Sequence, residues 1–532
     1  MILDIPYEQR VLGNILADRA SRYAEQPFLT VGGRCYTFTE AYEISQAFAR
    51  GLKRLGVAPG EPVLLMLNNS AEFVFSWFAL MLLNATCVPV NTAYVGEMLA
   101  YVVGDVKARI VITSVDLAPA ISGLSAEQRG ELTTMIVSNG CAGPSALDIL
   151  AWEDLMITSG APVQASAHPG DRAFICYTSG STGPSKGVIV PHSQVLQTVQ
   201  TFINAVGMTP EDTIFSPLPL FHGMSRSMAV LPALFLGAQV HLAARFSASS
   251  FWADVRNADA TISTTIFTIP PILKSRPHTD DDRNHKVRVM FNAHHDLEFE
   301  ERFGVRLVEA YGMTEVSLPI STVYPQRVLG ASGKPGDEWE AMLVDDRGLA
   351  VPAGSVGELL LRPRKPGLMM DGYFNKPEAT LSAFRGLWFH TGDLMRVGED
   401  GYYFYAGRMK ERIRRRGENI SAHEVEIIAA RHPEIVECAV LGVPAGDFED
   451  DVYLIAVLRN EDAISAAQLH TWLASKLPKF MVPRYIEFRS HLPKTGSAKI
   501  ERHALLADTS IIDAWDSLQP FQQPRGCPES GT

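Results

Sequence analysis

Between Thr39 and Ser114 the hydrophobic period of the chain switches back and forth, and this limits the possible folds more than any other feature. "TEAYEISQAFARGLKRLG" (Thr39 to Gly56) repeats apolar residues at helical spacing, whereas "PVLLML" (Pro62 to Leu67) and "ARIVITS" (Ala108 to Ser114) are short apolar runs of strand type. Amphipathic helices alternating with such runs predict an α/β architecture with largely parallel sheets. The apolar stretch from Phe73 to Val90 is interrupted by Ser76, Asn84, Thr86 and Pro89. It reads as a buried helix entering a strand, so no transmembrane span is expected.

A chain of 532 residues exceeds what one hydrophobic core organises, so at least two domains are expected. The pattern changes near Gly401: "GYYFYAGRMKERIRRRG" reads as an aromatic strand, a turn at Ala406 and Gly407, and a basic strand. A helix with Val425, Ile428 and Ala429 on one face follows. The division predicted is a large domain over 1–407, a hinge over 408–411, a small α+β domain over 412–508 and a poorly ordered tail over 509–532. The tail is rich in Pro, Gln, Gly and Ser without apolar periodicity.

The formal net charge of -12 argues against nonspecific nucleic-acid binding, which needs clustered positive charge. Cys35, Cys87, Cys141, Cys176, Cys438 and Cys527 are scattered without a CxxC pair, which favours reduced structural thiols over zinc. The amino terminus lacks the charged and apolar segments of a secretory signal, and a cytoplasmic location is the expectation.

In "YTSGSTGPSKG" (Tyr177 to Gly187) Gly180, Gly183 and Gly187 allow tight turns that expose backbone N–H groups. Thr178, Ser179, Ser181, Thr182 and Ser185 add hydroxyls and Lys186 a charge, a set suited to the oxygens of a polyphosphate. "RAFICYT" before it reads as a strand and "SQVLQTVQTFINAV" after it as a helix, a strand-to-helix setting that favours anions. Because Lys186 precedes Gly187 rather than Ser or Thr, this is not a Walker A loop.

The loop is followed in order by "YGMTE" (Tyr311 to Glu315), "WFHTGDL" (Trp388 to Leu394), "GRMKERIRRRGENIS" (Gly407 to Ser421) and "LPKTGSAKIER" (Leu492 to Arg502). The ordered set resembles the adenylate-forming superfamily of acyl-CoA synthetases, luciferases and peptide-synthetase adenylation domains, from about Leu12 to Leu506. The resemblance implies a large N-terminal domain of stacked βαβ subdomains with a distorted β-barrel, and a small mobile C-terminal domain. It also implies ATP and Mg2+ as cofactors and CoA as cosubstrate.

Residue by residue, the resemblance implies that Thr178, Ser179, Gly180, Ser181, Thr182, Gly183 and Lys186 hold the β- and γ-phosphates. Tyr311 and Gly312 would flank adenine, Thr314 would bond the α-phosphate and Glu315 would hold Mg2+, a cation that prefers carboxylate and phosphate oxygens. Asp393, backed by Arg408, would accept both ribose hydroxyls. Lys499 would neutralise charge as the acid attacks the α-phosphate. The family's usual Gly before that lysine is Ala498 here, with Gly496 nearby. Lys410 falls at the family's hinge position, and Gly417 would line the CoA path after the small domain rotates. Arg412, Arg414, Arg415 and Arg416 would either meet a CoA phosphate or remain solvated.

"PLPLFHGMSRSMAVLPAL" resembles the family segment that separates the ATP and acyl sites, with His222 either a gate or a packing residue. Asn292, His294 and His295 replace a small-residue turn and are expected to line the acyl pocket rather than bind metal. "SASSFWADVRNADATI" and "ERFGVRLVEAYGMTE" look like crotonobetaine/carnitine-CoA ligases and bacterial fatty-acyl ligases.

The implied activity is an ATP-dependent carboxylic acid:CoA ligase acting through an acyl-adenylate. Its acid is open among carnitine-like, fatty, aromatic and polycyclic compounds, and its assembly is open between monomer and homodimer. The alternatives are an acyl-AMP ligase loading a separate carrier protein, or a noncatalytic nucleotide-binding regulator. Glu315, Asp393, Arg408 and Lys499 weigh against the regulator.

Overall fold

The structure is a computed structural model that describes residues 5–140, 142–163, 166–178, 185–266, 269–292, 295–409, 412–415, 418–445, 450–460, 463–477, 479–494, 500–507 and 514–518. The chain divides into two compact units: one of Met1–Glu340 with Leu361–Phe389, the other of Ala341–Leu360 with His390–Thr532.

The larger unit carries two sheets of the expected kind. In the eight-stranded sheet, Thr86–Pro89, Pro62–Met66, Ile110–Ser114, Thr134–Ser138 and Asp148–Ala151 run parallel beside Arg172–Thr178. Lys186–Pro191 and Gly372–Tyr373 add antiparallel strands at one edge. The seven-stranded sheet is parallel except for its terminal hairpin, Pro27–Val31 with Arg34–Thr37. Parallel strands are covered on both faces, so the strand Pro62–Met66 carries no polar residue and Val63 to Met66 are buried.

The helix Phe38–Arg54 begins at a capping box in which Thr37 and Glu40 satisfy each other's backbone N–H, a device worth about 1 kcal/mol. Helix Ala71–Leu82 is buried from Phe73 onward, then the chain enters Thr86–Pro89, so the apolar run is interior as expected. Among the described residues no helix is long and apolar enough to cross a membrane. Burial raises the Cys176 and Cys438 thiols and pushes Cys87 up to about 12, which leaves them un-ionised and structural. Cys141 and Cys527 lie outside the described residues.

Helix His192–Val206 opens on a buried histidine. His192 is 1% exposed; its Nδ1 accepts from the Leu12 N–H at 3.4 Å and its Nε2 lies 3.4 Å from Asn84 Oδ1. A neutral ring satisfies both contacts, whereas a protonated one would set a second N–H against Leu12. Burial lowers its pKa to about 4 while Asp171 opposes the shift. With an ordinary value of 6.5 when unfolded, the unfolded chain takes up the proton first. Stability is therefore complete above pH 6.5 and is lost between 6.5 and 4, by about 2 kcal/mol at pH 5. The melting temperature is expected to fall between pH 7 and pH 5 and to fall less in His192→Gln; equal slopes would exclude this histidine as a source of acid lability.

In the smaller unit, strand Tyr403–Arg408 pairs with Trp388–Val397, placing Arg408 opposite Asp393 and Gly407 opposite Leu394. Ala406 and Gly407 therefore lie within a strand rather than in the expected turn. Gly407 takes a φ of 110° beside a register shift at Leu394 and Met395, which lets the strand continue. Tyr405 meets His423 edge to face at 5.2 Å, tying this strand to helix Ala422–Ala429. Val425 and Ala429 are buried and Ile428 packs against the same cluster, as their spacing requires.

The four-stranded sheet of this unit runs Ile435–Pro444, Asp450–Leu458, Tyr485–Phe488 and Trp515–Asp516. The last strand corrects the expectation of a tail throughout 509–532. Trp515 packs on His470 at 5.2 Å and Asp516 takes the Arg484 guanidinium at 3.1 Å, contacts that composition alone does not reveal.

Candidate active site

The glycine-rich stretch connects a hairpin. Strand Lys186–Pro191 returns antiparallel to Arg172–Thr178, with Thr178 opposite Lys186 and Tyr177 opposite Gly187, and only then does helix His192–Val206 begin. This corrects the strand-to-helix setting: Gly187, Val188 and Val190 are buried and pair in the sheet first. Lys186 therefore stands at the base of a hairpin rather than at a helix terminus. Ser179, Gly180, Ser181, Thr182 and Gly183 lie outside the described residues.

The hairpin base is fixed from both sides. Thr178 Oγ1 donates to the Lys186 carbonyl at 3.4 Å, Tyr101 donates to the Ser185 carbonyl at 2.8 Å, and Tyr177 donates to Asp105 at 2.6 Å. A Cβ on Gly187 would come within 2.8 Å of Ile175 Cγ2, so this position needs glycine for packing.

"YGMTE" forms the turn of a second hairpin, strand Ala310–Met313 against Ser317–Ser321, with buried Tyr311 opposite Ile320. A Cβ on Gly312 would lie 2.1 Å from the Ser317 carbonyl oxygen, which excludes every larger residue. Gln194, from helix His192–Val206, donates to the Thr314 carbonyl at 2.9 Å, and the Met370 N–H donates to the Glu315 carbonyl at 2.8 Å. The backbone beneath Thr314 and Glu315 is thereby anchored from two elements.

Glu315 is 6% exposed and makes no ion pair with any described residue. Its Oε1 accepts from the Tyr373 hydroxyl at 2.9 Å. The ring of the same tyrosine lies 4.6 Å from Lys186 Nζ. Two expected site residues from distant parts of the chain thus meet on Tyr373, which the sequence did not single out. A buried carboxylate without a cation carries a desolvation cost, and its oxygens suit a Mg2+ that takes its other ligands from phosphate and water. Among the described residues no cluster of three His, Cys, Asp or Glu could hold a metal by itself.

His222 is half-buried at the start of the short helix Gly223–Ser225, its ring tilted 4.7 Å from that of Phe221. Arg226, four residues on, was also not foreseen. It is 1% exposed, donates to the Leu220 carbonyl at 2.5 Å and Cys176 Sγ at 3.4 Å, and lies 4.6 Å over Phe174. It ties the His222 segment to the strand Arg172–Thr178 that leads into the glycine-rich stretch. Asn292 is buried, with Thr265 Oγ1 donating to its Oδ1 at 3.3 Å. His295 pairs with Glu309 at 3.1 Å, and His294 lies outside the described residues.

The smaller unit carries its own group of expected residues. Asp393 is 1% exposed and takes Arg408 Nε at 2.7 Å. Its N–H donates to Thr391 Oγ1 at 3.1 Å, and Thr391 in turn donates to the Leu359 carbonyl at 2.7 Å. Glu358 accepts from the Gly392 N–H at 3.2 Å and lies 2.9 Å from His390 Nδ1. Arg415 is committed internally to Asp451 at 2.9 Å and to the Val482 carbonyl at 2.7 Å, so it is not the solvated charge that was one of the two expectations. Lys410, Arg416, Gly417, Ala498 and Lys499 lie outside the described residues.

The sequence pattern of the AMP-binding enzyme family matches residues 16–374, and that of the AMP-binding enzyme C-terminal domain matches residues 424–499. The chain is 31% identical over 456 residues to a crotonobetaine/carnitine–CoA ligase of Salmonella paratyphi C, covering 84% of this chain and 88% of the relative. It is 30% identical over 481 residues to the ligase of the same name from Proteus mirabilis, covering 88% and 92%. In structure it is similar to an anthranilate CoA ligase in complex with anthranoyl-AMP, with a TM-score of 0.87, 28% identity and coverage of 96% and 98%. It is likewise similar to a benzoate CoA ligase from Burkholderia xenovorans LB400, with a TM-score of 0.82, 25% identity and coverage of 93% and 99%.

Proposed function

Because the chain belongs to the AMP-binding enzyme family, we propose that it is an AMP-forming carboxylic acid:CoA ligase. The observation that carries this reading is the pairing of Lys186 and buried Glu315, which makes no ion pair among the described residues, on one tyrosine, a site suited to nucleotide phosphates and their metal. A carboxylate oxygen of the acid bonds to the α-phosphorus of ATP, the Pα–O–Pβ bond breaks, and pyrophosphate leaves. The CoA thiolate then attacks the acyl carbon, the C–O bond to phosphate breaks, and AMP leaves with the electron pair.

In this reading the loop from Thr178 to Lys186 holds the β- and γ-phosphates, Tyr311 and Gly312 flank adenine, and Thr314 bonds the α-phosphate. Glu315 holds Mg2+, which neutralises phosphate charge when bound. Asp393 receives the ribose and Arg408 orients it; Lys499 stabilises charge as the acid attacks. His222, Asn292 and His294 face the acyl group, Lys410 is the hinge within 408–411, and Gly417 lines the CoA path. We place the small domain over 412–508 and the enzyme in the cytoplasm, where ATP and CoA meet.

AMP release is expected to require both an acid and CoA and to yield a thioester. The assay is a panel of carnitine-like, medium-chain, aromatic and polycyclic acids, with CoA compared against a phosphopantetheinylated carrier protein. Turnover with the carrier alone would establish the carrier-loading alternative, and absence of adenylate with every acid would favour a regulator.

A further inference from the structure

Lys186 and Glu315 carry opposite charges, touch the same side chain, and yet make no ion pair with each other. Glu315 is buried, and a buried carboxylate attracts a nearby ammonium more strongly than it would in water. Tyr373 is the group between them. Its hydroxyl donates to Oε1 of the carboxylate, and its ring face receives the ammonium, a favourable cation–π contact.

The tyrosine is itself fixed. Tyr373 pairs with Val188 across the sheet edge, its N–H donates to Thr380 Oγ1 at 2.9 Å, and Thr380 Oγ1 donates to the Lys376 carbonyl at 3.1 Å. Gly372 takes a φ of 141°, and a Cβ added there would lie 3.0 Å from Thr380 Cγ2, so the strand runs close against helix Pro377–Ala383 and the position favours glycine. The Phe374 N–H donates to the Gly187 carbonyl at 2.7 Å, binding the same strand to the phosphate hairpin.

We propose that Tyr373 is a positioning residue that keeps Lys186 and Glu315 from neutralising each other, so that one remains available to phosphate and the other to a divalent cation. The inference rests on the roles assigned to those two residues under the proposed function. The hydroxyl sets the carboxylate for the metal, and the ring reserves the ammonium for the nucleotide. Without the ring, Lys186 collapses onto Glu315 and both functions weaken together.

The test uses the full chain and needs no acid substrate: ATP binding is measured by calorimetry over a series of free Mg2+ concentrations and in EDTA. Tyr373→Phe is expected to raise the Mg2+ concentration for half-maximal enhancement about tenfold, the scale of a lost hydrogen bond to a charged group. Its metal-free ATP affinity should stay within about twofold, because the ring remains. Tyr373→Leu should weaken both, and adding Lys186→Ala to Tyr373→Leu should lower the Mg2+ requirement again by removing the intruding charge. A purely structural role for the tyrosine gives no such rescue. If Tyr373→Phe behaves as wild type while Glu315→Gln loses the Mg2+ enhancement, Tyr373 has no positioning role and the reading of Glu315 stands. If Glu315→Gln keeps the enhancement, the reading of Glu315 fails and takes this inference with it. Absence of rescue by Lys186→Ala overturns the separation of charges; should Tyr373→Leu not fold, Tyr373→Phe alone decides.

Discussion

Lys499→Ala is expected to lower acid-dependent ATP–pyrophosphate exchange by roughly 10²–10³-fold, the loss typical of removing one preorganised donor to developing charge. Its effect on ATP binding should stay within about threefold, because the role proposed for the lysine is at the charge moving from the attacking carboxylate to the α-phosphate rather than on the bound nucleotide. The two steps of the reaction separate this role from general damage. Chemically prepared acyl-adenylate should still be converted to the CoA thioester by the variant at a rate close to wild type, since the bond to phosphorus is already made. Equal losses in both steps would instead mark Lys499 as a residue needed for the whole site, and near-normal exchange would remove it from the mechanism.

The sheets were legible because buried parallel strands and amphipathic helices differ in period, and the candidate site was legible as short runs of neighbouring residues such as "YGMTE". Contacts between distant segments were not. Tyr373 stands 58 positions from Glu315 with no local pattern, and only the pairing of Gly372–Tyr373 with Lys186–Pro191 brings it to the site. The return strand "KGVIVP" is six residues of mixed spacing beside a glycine loop, so its pairing with Arg172–Thr178 depends on a partner that periodicity does not indicate. Arg415 sits in a basic run that reads as a solvated face, yet Asp451, far along the chain, fixes it inside the fold. Trp515–Asp516 was hidden in a polar tail for the same reason: its partners, His470 and Arg484, belong to earlier segments.

Asp393→Ala should raise the KM for ATP about 10²-fold or more, because the carboxylate is assigned two ribose hydroxyls and each hydrogen bond to a charged group is worth about 1.5–3 kcal/mol. Its surroundings fix the carboxylate, since the backbone at Thr391 to Asp393 is pinned by Leu359 and Glu358, and Arg408 lies 2.7 Å from one carboxylate oxygen. Arg408 itself is 42% exposed along its side chain, so solvent screens the pair and Arg408→Ala should cost much less than loss of the acid. Wild-type enzyme should discriminate against 2′-deoxy-ATP, which lacks one of the two donors, whereas Asp393→Ala should treat ATP and 2′-deoxy-ATP nearly alike. Such loss of discrimination is specific to ribose recognition, because a variant that merely loosened the fold would weaken both nucleotides and keep their ratio. An unchanged ratio in Asp393→Ala would therefore assign the carboxylate to holding strand Tyr403–Arg408 in place rather than to the nucleotide.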